Sequence, residues 1–264
     1  MVQKYLGIQL FNIIRGDPIG KEEFAFNPKY LNALNDLKDK IYKWLQDNDK
    51  LAKETKIKNK VIGFLGEILV VTKLYYEFKD KLNEKECKWV GGQKKGYDIK
   101  LEFKDSSKPI KIQVKSTTNN KGEFSILKLK LGDMKEKIKN EIEEEYKQRP
   151  DLLDFKLPKS LQDKIDEEVE KNEADFWILN DLSGTEPQFF ILKKEEIAQL
   201  LKDDYRGYQL ERKSKKRYNY GINKEGIIWF RLHRKWDEKY FKNKLNDSKY
   251  RWDKISSYAL KIKQ

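Results

Sequence analysis

The segment from Lys60 to Phe78 is apolar on almost every side of a helix, and it restricts the fold more than any other part of the chain. Its apolar residues are Val61, Phe64, Leu65, Ile68, Leu69, Val71, Leu74 and Tyr75. A helix with so little polar surface needs cover over most of its circumference, and a sheet provides that cover. The segment therefore predicts an α/β fold in which this helix lies against a sheet.

Residues 98–103 and residues 110–115 both alternate strictly between apolar and polar side chains. Alternation with a period of two is typical of strands that have one buried face. The segment between them reads Asp-Ser-Ser-Lys-Pro, which is a composition typical of turns. Together the two segments predict a β-hairpin.

The polar face of this hairpin carries a carboxylate, an amide and an ammonium group. If Phe103 pairs with Ile110, Asp98 lies opposite Lys115, and Gln113 shares their face. The Gly-rich segment before Asp98 allows a ligand to approach the backbone closely. The alternative is an ordinary solvated face, because Lys and Glu that alternate along a strand usually face water.

Glu67 interrupts the apolar helix directly after Gly66. A carboxylate in such surroundings costs several kcal/mol unless it is paired with a cation or bound to a metal. Glu67 therefore either belongs to a site, or it pairs with a lysine or emerges at the edge of the helix.

The chain contains one Cys and one His, which excludes several kinds of site. It offers no pair of cysteines for a disulfide and no Cys/His cluster for zinc, and a Ser or Cys nucleophile would have to use His233 as its base. Phosphate-loop and dinucleotide-binding fingerprints are missing, and no apolar run approaches the ~20 residues of a membrane span. The metal ligands that remain are oxygen atoms, which suit hard ions such as Mg²⁺. A single thiol fits a reducing compartment, so we expect a cytoplasmic protein without a membrane segment.

Positive charge is concentrated in two segments of the chain. Residues 51–130 carry a net charge of +9 and residues 206–264 carry +12, whereas residues 131–205 carry −9. Such an asymmetric distribution favours a polyanionic partner for the basic segments. A solvated, Lys-rich surface is the alternative interpretation.

Weaker patterns predict the remaining elements. Helices are expected at 28–55 and 193–201, and a pair of exposed, highly charged helices at 135–171, broken near Pro150 and Pro158. Strands are expected to begin at Trp89 and to cover 176–179, 189–192 and 226–232.

Three short motifs, taken in order, resemble those of the PD-(D/E)xK nuclease superfamily. They are Gly66-Glu67 in a helix, Gly96-Tyr97-Asp98-Ile99, and Ile112-Gln113-Val114-Lys115-Ser116. The resemblance covers about residues 60–130, and the strands expected at 176–192 complete the mixed sheet of that family. Tyr97 replaces the proline that names the motif, and Gln113 replaces the usual second acid, which removes a negative charge.

The resemblance implies a restriction-endonuclease-like α/β fold, with a mixed β-sheet core flanked by helices. The core is expected at 60–205 with an acidic helical insertion at about 131–175, after an N-terminal helical part at 1–59 and before a basic part at 206–264. It also implies that Asp98, Glu67, the Gln113 side-chain oxygen and the Val114 carbonyl hold Mg²⁺, and that Lys115 orients the attacking water and balances developing charge.

The function implied by the resemblance is Mg²⁺-dependent cleavage of double-stranded DNA by a homodimer. Products with 5′-phosphate and 3′-hydroxyl ends are expected, as for type II restriction enzymes. A homing endonuclease, a Holliday-junction resolvase and a non-catalytic DNA-binding protein on the same scaffold are the alternatives. The residues expected to contact DNA are Arg212, Lys213, Lys215, Lys216, Arg217, Arg231 and Arg234.

Overall fold

The structure is a computed structural model, and it describes residues 24–25, 55–90, 96–118, 122–148, 155–184, 186–214, 221–234 and 244–262. The chain divides into two compact units. The first consists of Met1–Thr118, Glu173–Ile191 and Tyr250–Gln264, and the second of Asn119–Asn172 and Leu192–Lys249. This division differs from the contiguous parts expected from the sequence, because the chain leaves the first unit twice and returns to it twice.

Eight strands and five α-helices are described. In chain order they are β1 (Phe24–Ala25), α1 (Thr55–Phe78), β2 (Leu82–Trp89), β3 (Ile99–Phe103), β4 (Ile110–Thr117), β5 (Glu123–Lys130), α2 (Lys135–Gln148), α3 (Lys159–Glu170), β6 (Phe176–Asp181), β7 (Gln188–Lys193), α4 (Lys194–Ser214), β8 (Ile227–His233) and α5 (Asp253–Lys261). No helix among these residues is long and apolar enough to span a membrane.

The first unit is built on a six-stranded mixed sheet with the order β1-β2-β3-β4-β6-β7. The pairs β1–β2, β2–β3 and β3–β4 are antiparallel, whereas β4 and β6 run parallel. Helix α1 packs against β2, β4 and β6. The expected α/β class and the cover of the apolar helix by a sheet are therefore confirmed. The core between them includes Leu65, Leu74, Ile99, Leu101, Ile110, Ile112 and Phe176, all of which are fully buried.

The second unit contains a two-stranded antiparallel sheet formed by β5 and β8. Helix α3 packs against β5 and α4, and α4 packs against β8. Helices α2 and α3 confirm the expected helix pair, since α2 ends at Gln148 and α3 begins at Lys159.

The hairpin prediction is confirmed, but its register is wrong by two residues. Leu101 rather than Phe103 pairs with Ile110, and Ile99 pairs with Ile112. The turn takes up the additional residues, because the Ser106 N–H donates to the Phe103 carbonyl at 3.1 Å. A shift of two residues keeps every side chain on its expected face, since the side-chain period of a strand is two. It places Gln113 rather than Lys115 against Asp98, so the expected pairing of Asp98 with Lys115 is wrong.

Three other elements differ from the expectations. Trp89 ends β2 rather than beginning a strand, because residues 82–88 lack alternation but still pair with β3 around a bulge. Helix α4 extends beyond the expected 193–201, and β5 and α5 were not predicted. The helix expected at 28–55 and the glycine-rich turn at 91–95 lie outside the described residues, apart from Thr55.

Candidate metal and phosphate site

Asp98 lies immediately before β3 and is only 7% exposed. Gly96 precedes it with a φ of 93°, a conformation that L-amino acids rarely adopt, so glycine allows the chain to turn sharply into the strand. The Asp98 N–H donates to the Ile112 carbonyl and its C=O accepts from the Val90 N–H, both at 2.8 Å. The backbone of Asp98 is therefore held on both sides.

The Asp98 carboxylate accepts two hydrogen bonds from β4. The Val114 N–H donates to Asp98 Oδ2 at 2.7 Å, and Gln113 Nε2 donates to the same oxygen. Gln113 Nε2 also lies 3.3 Å from the Val114 carbonyl oxygen, so the amide nitrogen bridges two of the predicted metal ligands. Rotation of the amide by 180° would point its oxygen at two acceptors, so this orientation would require a cation bound between them.

Glu67 extends from α1 and is held by Trp89 at the end of β2. The indole Nε1–H of Trp89 donates to Glu67 Oε2 at 2.6 Å. The Trp89 ring is buried and meets the Phe64 ring edge to face at a centroid distance of 5.4 Å. The orientation of the carboxyl group is thus set by an aromatic side chain that has little freedom to move.

The two carboxyl groups interact electrostatically. Burial and, to a smaller extent, the charge of Asp98 raise the pKa of Glu67 to about 8, against the opposing effects of the Trp89 hydrogen bond and Lys115. Burial also raises the pKa of Asp98 to about 6, against the opposing effects of Lys115 and the Val114 N–H. Neighbouring carboxylates that are removed from water favour a cation between them.

Lys115 lies two residues after Gln113 on the same face of β4. Its Nζ is 6.0 Å from the ring centroid of Trp177, which is the neighbour of Gln113 on β6. Trp177 is 3% exposed, and its buried indole N–H has no hydrogen-bond partner among the described residues. The structure therefore brings together all four side chains that the sequence singled out, with Trp177 beside them.

The donor atoms of this site fit Mg²⁺. Two carboxylates, an amide oxygen and a backbone carbonyl are all hard oxygen ligands. No cluster of three or more His, Cys, Asp or Glu side chains suited to a metal occurs in the described part of the chain. A metal here would thus depend on Gln113 and Val114 in addition to Glu67 and Asp98.

Close packing behind the site brings α1 to β4. A Cβ atom on Gly66 would lie 1.7 Å from Ser116 Oγ, so only glycine permits this approach. Asn180 on β6 is fully buried and donates from Nδ2 to the Gly66 carbonyl at 3.5 Å. The sequence motif included Ser116 but did not predict its contact with Gly66, and Asn180 was not predicted, although a polar residue at the end of the apolar run 176–179 was a usable signal.

The residues expected to contact DNA belong to the second unit. Arg231 is exposed on β8 and pairs with Glu123, and the Arg234 N–H donates to the Gly122 carbonyl at 3.1 Å. Arg212 and Lys213 lie near the end of α4. The described residues do not include Lys215, Lys216 and Arg217.

Without divalent cations, the stability of the protein is expected to fall as the pH rises from 6 to 8.5. The pKa of Glu67 is about 8 in the folded protein against 4.5 ordinarily, so the folded state holds a proton that the unfolded state has lost. Stability then falls with pH by at most about 1.4 kcal/mol per unit for one proton. Thermal unfolding in EDTA at several pH values measures this slope.

The Glu67→Gln variant is the control for this prediction, and its slope should be shallower. Mg²⁺ should raise the melting temperature of the wild type more at pH 8.5 than at pH 6, because binding requires deprotonated carboxyls. Equal slopes for the variant and the wild type would contradict the assignment to Glu67.

Comparison of the chain with protein-family models and with curated proteins finds no match. Function must therefore be inferred from the residues and their arrangement. Within the first unit, that arrangement joins the half-buried Glu67 carboxyl group and the buried Asp98 carboxyl group with an amide, a backbone carbonyl and a lysine.

Proposed function

We propose that this protein is a Mg²⁺-dependent endodeoxyribonuclease of the PD-(D/E)xK type, most like a type II restriction enzyme. One observation carries the proposal: the buried Asp98 carboxylate is bound by Gln113 and by the Val114 N–H, with Lys115 two residues further along the same strand face. Glu67 adds a second carboxyl group from α1, as the electrostatic interaction with Asp98 indicates.

The charges of the site support a single divalent ion. Glu67 and Asp98 together carry two negative charges when ionised, and Lys115 offsets one of them, so the negative charge of the site does not exceed the charge of one Mg²⁺. Gln113 contributes an oxygen without charge, so no surplus charge favours a second ion. When bound, Mg²⁺ polarises a phosphoryl oxygen and lowers the pKa of a coordinated water.

Lys115 supplies the positive charge of the protein itself. Its ammonium group lies close enough to both carboxyl groups to lower the pKa of each. A cation at this place stabilises the negative charge that develops on a phosphoryl group during hydrolysis. The Trp177 ring beneath Lys115 limits where the ammonium group can lie.

Double-stranded DNA is the proposed substrate, because a polyanion complements the charge of the basic segments and supplies the phosphodiester on which the proposed site acts. A homodimer would cut both strands of a palindromic site, since twofold symmetry then relates the two active sites. Size-exclusion chromatography with light scattering, with and without DNA, tests this part of the proposal.

Cleavage of plasmid and phage DNA tests the function directly. The purified chain is incubated with these substrates in Mg²⁺, Mn²⁺, Ca²⁺ or EDTA, and the fragments are separated by size. Discrete fragments in Mg²⁺ are expected for a restriction enzyme, whereas preferential cutting of four-way junctions would indicate a resolvase. If DNA stays intact with every divalent ion, the proposed activity is wrong.

The Lys115→Ala variant is expected to lower the cleavage rate by about 10²-fold, because a charged group that stabilises the transition state is lost. Lys111→Ala is the matched control, since Lys111 precedes it on the same face of β4 and pairs with Glu173. Single-turnover cleavage of a labelled duplex measures both. Equal losses in the two variants would mean that Lys115 acts only through general charge.

A further inference from the structure

One face of the two-stranded sheet in the second unit is open to solvent and carries an unusual set of side chains. The opposite face is buried and includes Phe124, Ile126, Leu129, Ile228, Phe230 and Leu232. The exposed residues of the other face are Ser125, Lys128 and Lys130 on β5 and Trp229 and Arg231 on β8. We call this set the β5–β8 face. Glu123 and His233 lie at one end of this face, and the buried Ile227 lies at the other end.

Trp229 lies at the centre of the β5–β8 face with half of its surface exposed to water. Lys128 is its partner across the two strands, and the Lys128 Nζ lies 4.9 Å from the centroid of the indole ring. Arg231 follows two residues later on the same side, about 7 Å along the strand. The Lys128 ammonium group therefore lies over the aromatic plane, Arg231 lies beside it, and Lys130 lies further along β5. A base that stacks on this side of the ring takes the place of the ammonium group, which then meets a phosphate.

An exposed indole among cations is chemically complementary to a nucleotide. The indole can stack on the aromatic base, and the cations can contact the negative phosphate. Stacking on an indole requires the flat face of a base, and single strands offer that face. A closed duplex presents only base edges in its grooves. The charge of Lys128 and Arg231 complements the phosphates on either side of a stacked base.

We infer that the β5–β8 face binds single-stranded DNA, with an unpaired base stacked on Trp229 and the neighbouring phosphates contacted by Lys128 and Arg231. The choice of DNA rests on the proposed function, and the stacking geometry extends that function to unpaired nucleotides. Arg231 keeps its ion pair with Glu123 through Nη1, and other N–H groups of its guanidinium donate hydrogen bonds to the phosphate.

Binding of a fluorescein-labelled twelve-residue oligothymidylate, followed by anisotropy in EDTA, tests the inference. Trp229→Ala should weaken binding by about tenfold or more, and Trp229→Phe should weaken it much less because a ring remains. Tyr76→Ala removes another half-exposed aromatic side chain and should leave the affinity unchanged. Unchanged oligothymidylate affinity in Trp229→Ala, or no binding by the wild type, would overturn the inference.

Salt dependence tests the phosphate contacts. Lys128→Glu should lower the slope of log affinity against log salt by about 0.7, the value for one lost phosphate contact to a single strand. Lys137→Glu makes the same charge change on α2 and should leave the slope nearer that of the wild type. Equal changes in the two variants would show a general charge effect and would overturn the assignment of Lys128.

A blunt duplex of mixed sequence distinguishes the form of DNA. Its affinity should be similar for the wild type and Trp229→Ala; an equal loss for duplex and oligothymidylate would overturn the single-strand assignment.

All binding is measured without divalent ions and repeated in an Asp98→Ala background. Oligothymidylate binding that depends on Trp229 without any cleavage by the wild type would contradict the proposed function alone, and the reverse result would contradict this inference alone.

Discussion

Replacing Asp98 with alanine should lower the rate of DNA cleavage by about 10³-fold or more, with DNA affinity close to that of the wild type. The variant loses the carboxylate that Gln113 and the Val114 N–H hold at the start of β3. Of the expected oxygen ligands, Glu67 would then be the only charged one. Loss of several kcal/mol of metal-dependent charge stabilisation corresponds to a factor of this size.

Two variants separate loss of charge from loss of fold in this experiment. Asp98→Asn keeps an acceptor for the Val114 N–H and should fold normally, yet it should cleave as poorly as Asp98→Ala. Asp105→Ala is the matched control, since Asp105 is an exposed acid in the turn of the same hairpin. Single-turnover cleavage in Mg²⁺, with binding measured in EDTA, gives both quantities. Activity within tenfold of the wild type in Asp98→Ala would exclude it as a metal ligand.

Gly66→Ala should destabilise the protein by about 1–3 kcal/mol, the usual cost of forcing a methyl group into a packed interior. The new Cβ would lie 1.7 Å from Ser116 Oγ and 2.7 Å from Ser116 Cβ, so α1 must move away from β4. Because Glu67 is the next residue on α1, its carboxyl group moves too, and cleavage should fall together with stability. Urea unfolding and cleavage assays measure the two effects.

Gly63 supplies a matched control one turn earlier on the same helix. A Cβ at Gly63 meets no atom within 4 Å, so Gly63→Ala should be neutral or stabilise by about 0.5–1 kcal/mol through helix propensity. Destabilisation of equal size at both glycines would contradict the packing argument.

A double variant tests whether the contact with Ser116 is the cause. Ser116→Gly removes both atoms that overlap with the new methyl group, so the pair Gly66→Ala and Ser116→Gly should be more stable than Gly66→Ala alone. A double-mutant cycle gives the coupling between the two positions. If the losses in unfolding free energy of the two single variants simply add in the double variant, contact with Ser116 is not the cause of the destabilisation.

Local patterns were sufficient for the elements that carry the site. The apolar helix and the alternating hairpin were recognisable because periods of 3.6 and 2 are properties of neighbouring residues. The register of the hairpin was not, since it depends on how many residues the turn between Phe103 and Ile110 takes up. For the same reason β2 was misplaced: residues 82–88 have no pattern of their own, and pairing with β3 decides their conformation.

Single residues also divide into those that local patterns indicate and those that only tertiary contacts reveal. The alternation of the hairpin predicted that Asp98 and Lys115 share one polar face, whereas their expected roles came from the resemblance to the nuclease motifs. The importance of Ser116 and Asn180 was not predicted, because it comes from the close approach of α1 to the sheet at Gly66. That approach is a packing contact between segments far apart in the chain.

The sequence by itself determined that any metal site in this chain must rely on oxygen ligands rather than on a Cys/His cluster, and that Glu67 was a carboxylate in apolar surroundings. Tertiary structure alone decided what surrounds it. Trp89, 22 residues away in the chain, donates to its carboxyl group, and Asp98 raises its pKa. Burial and the charges of neighbouring groups set that pKa, and both depend on folded geometry rather than on residue order.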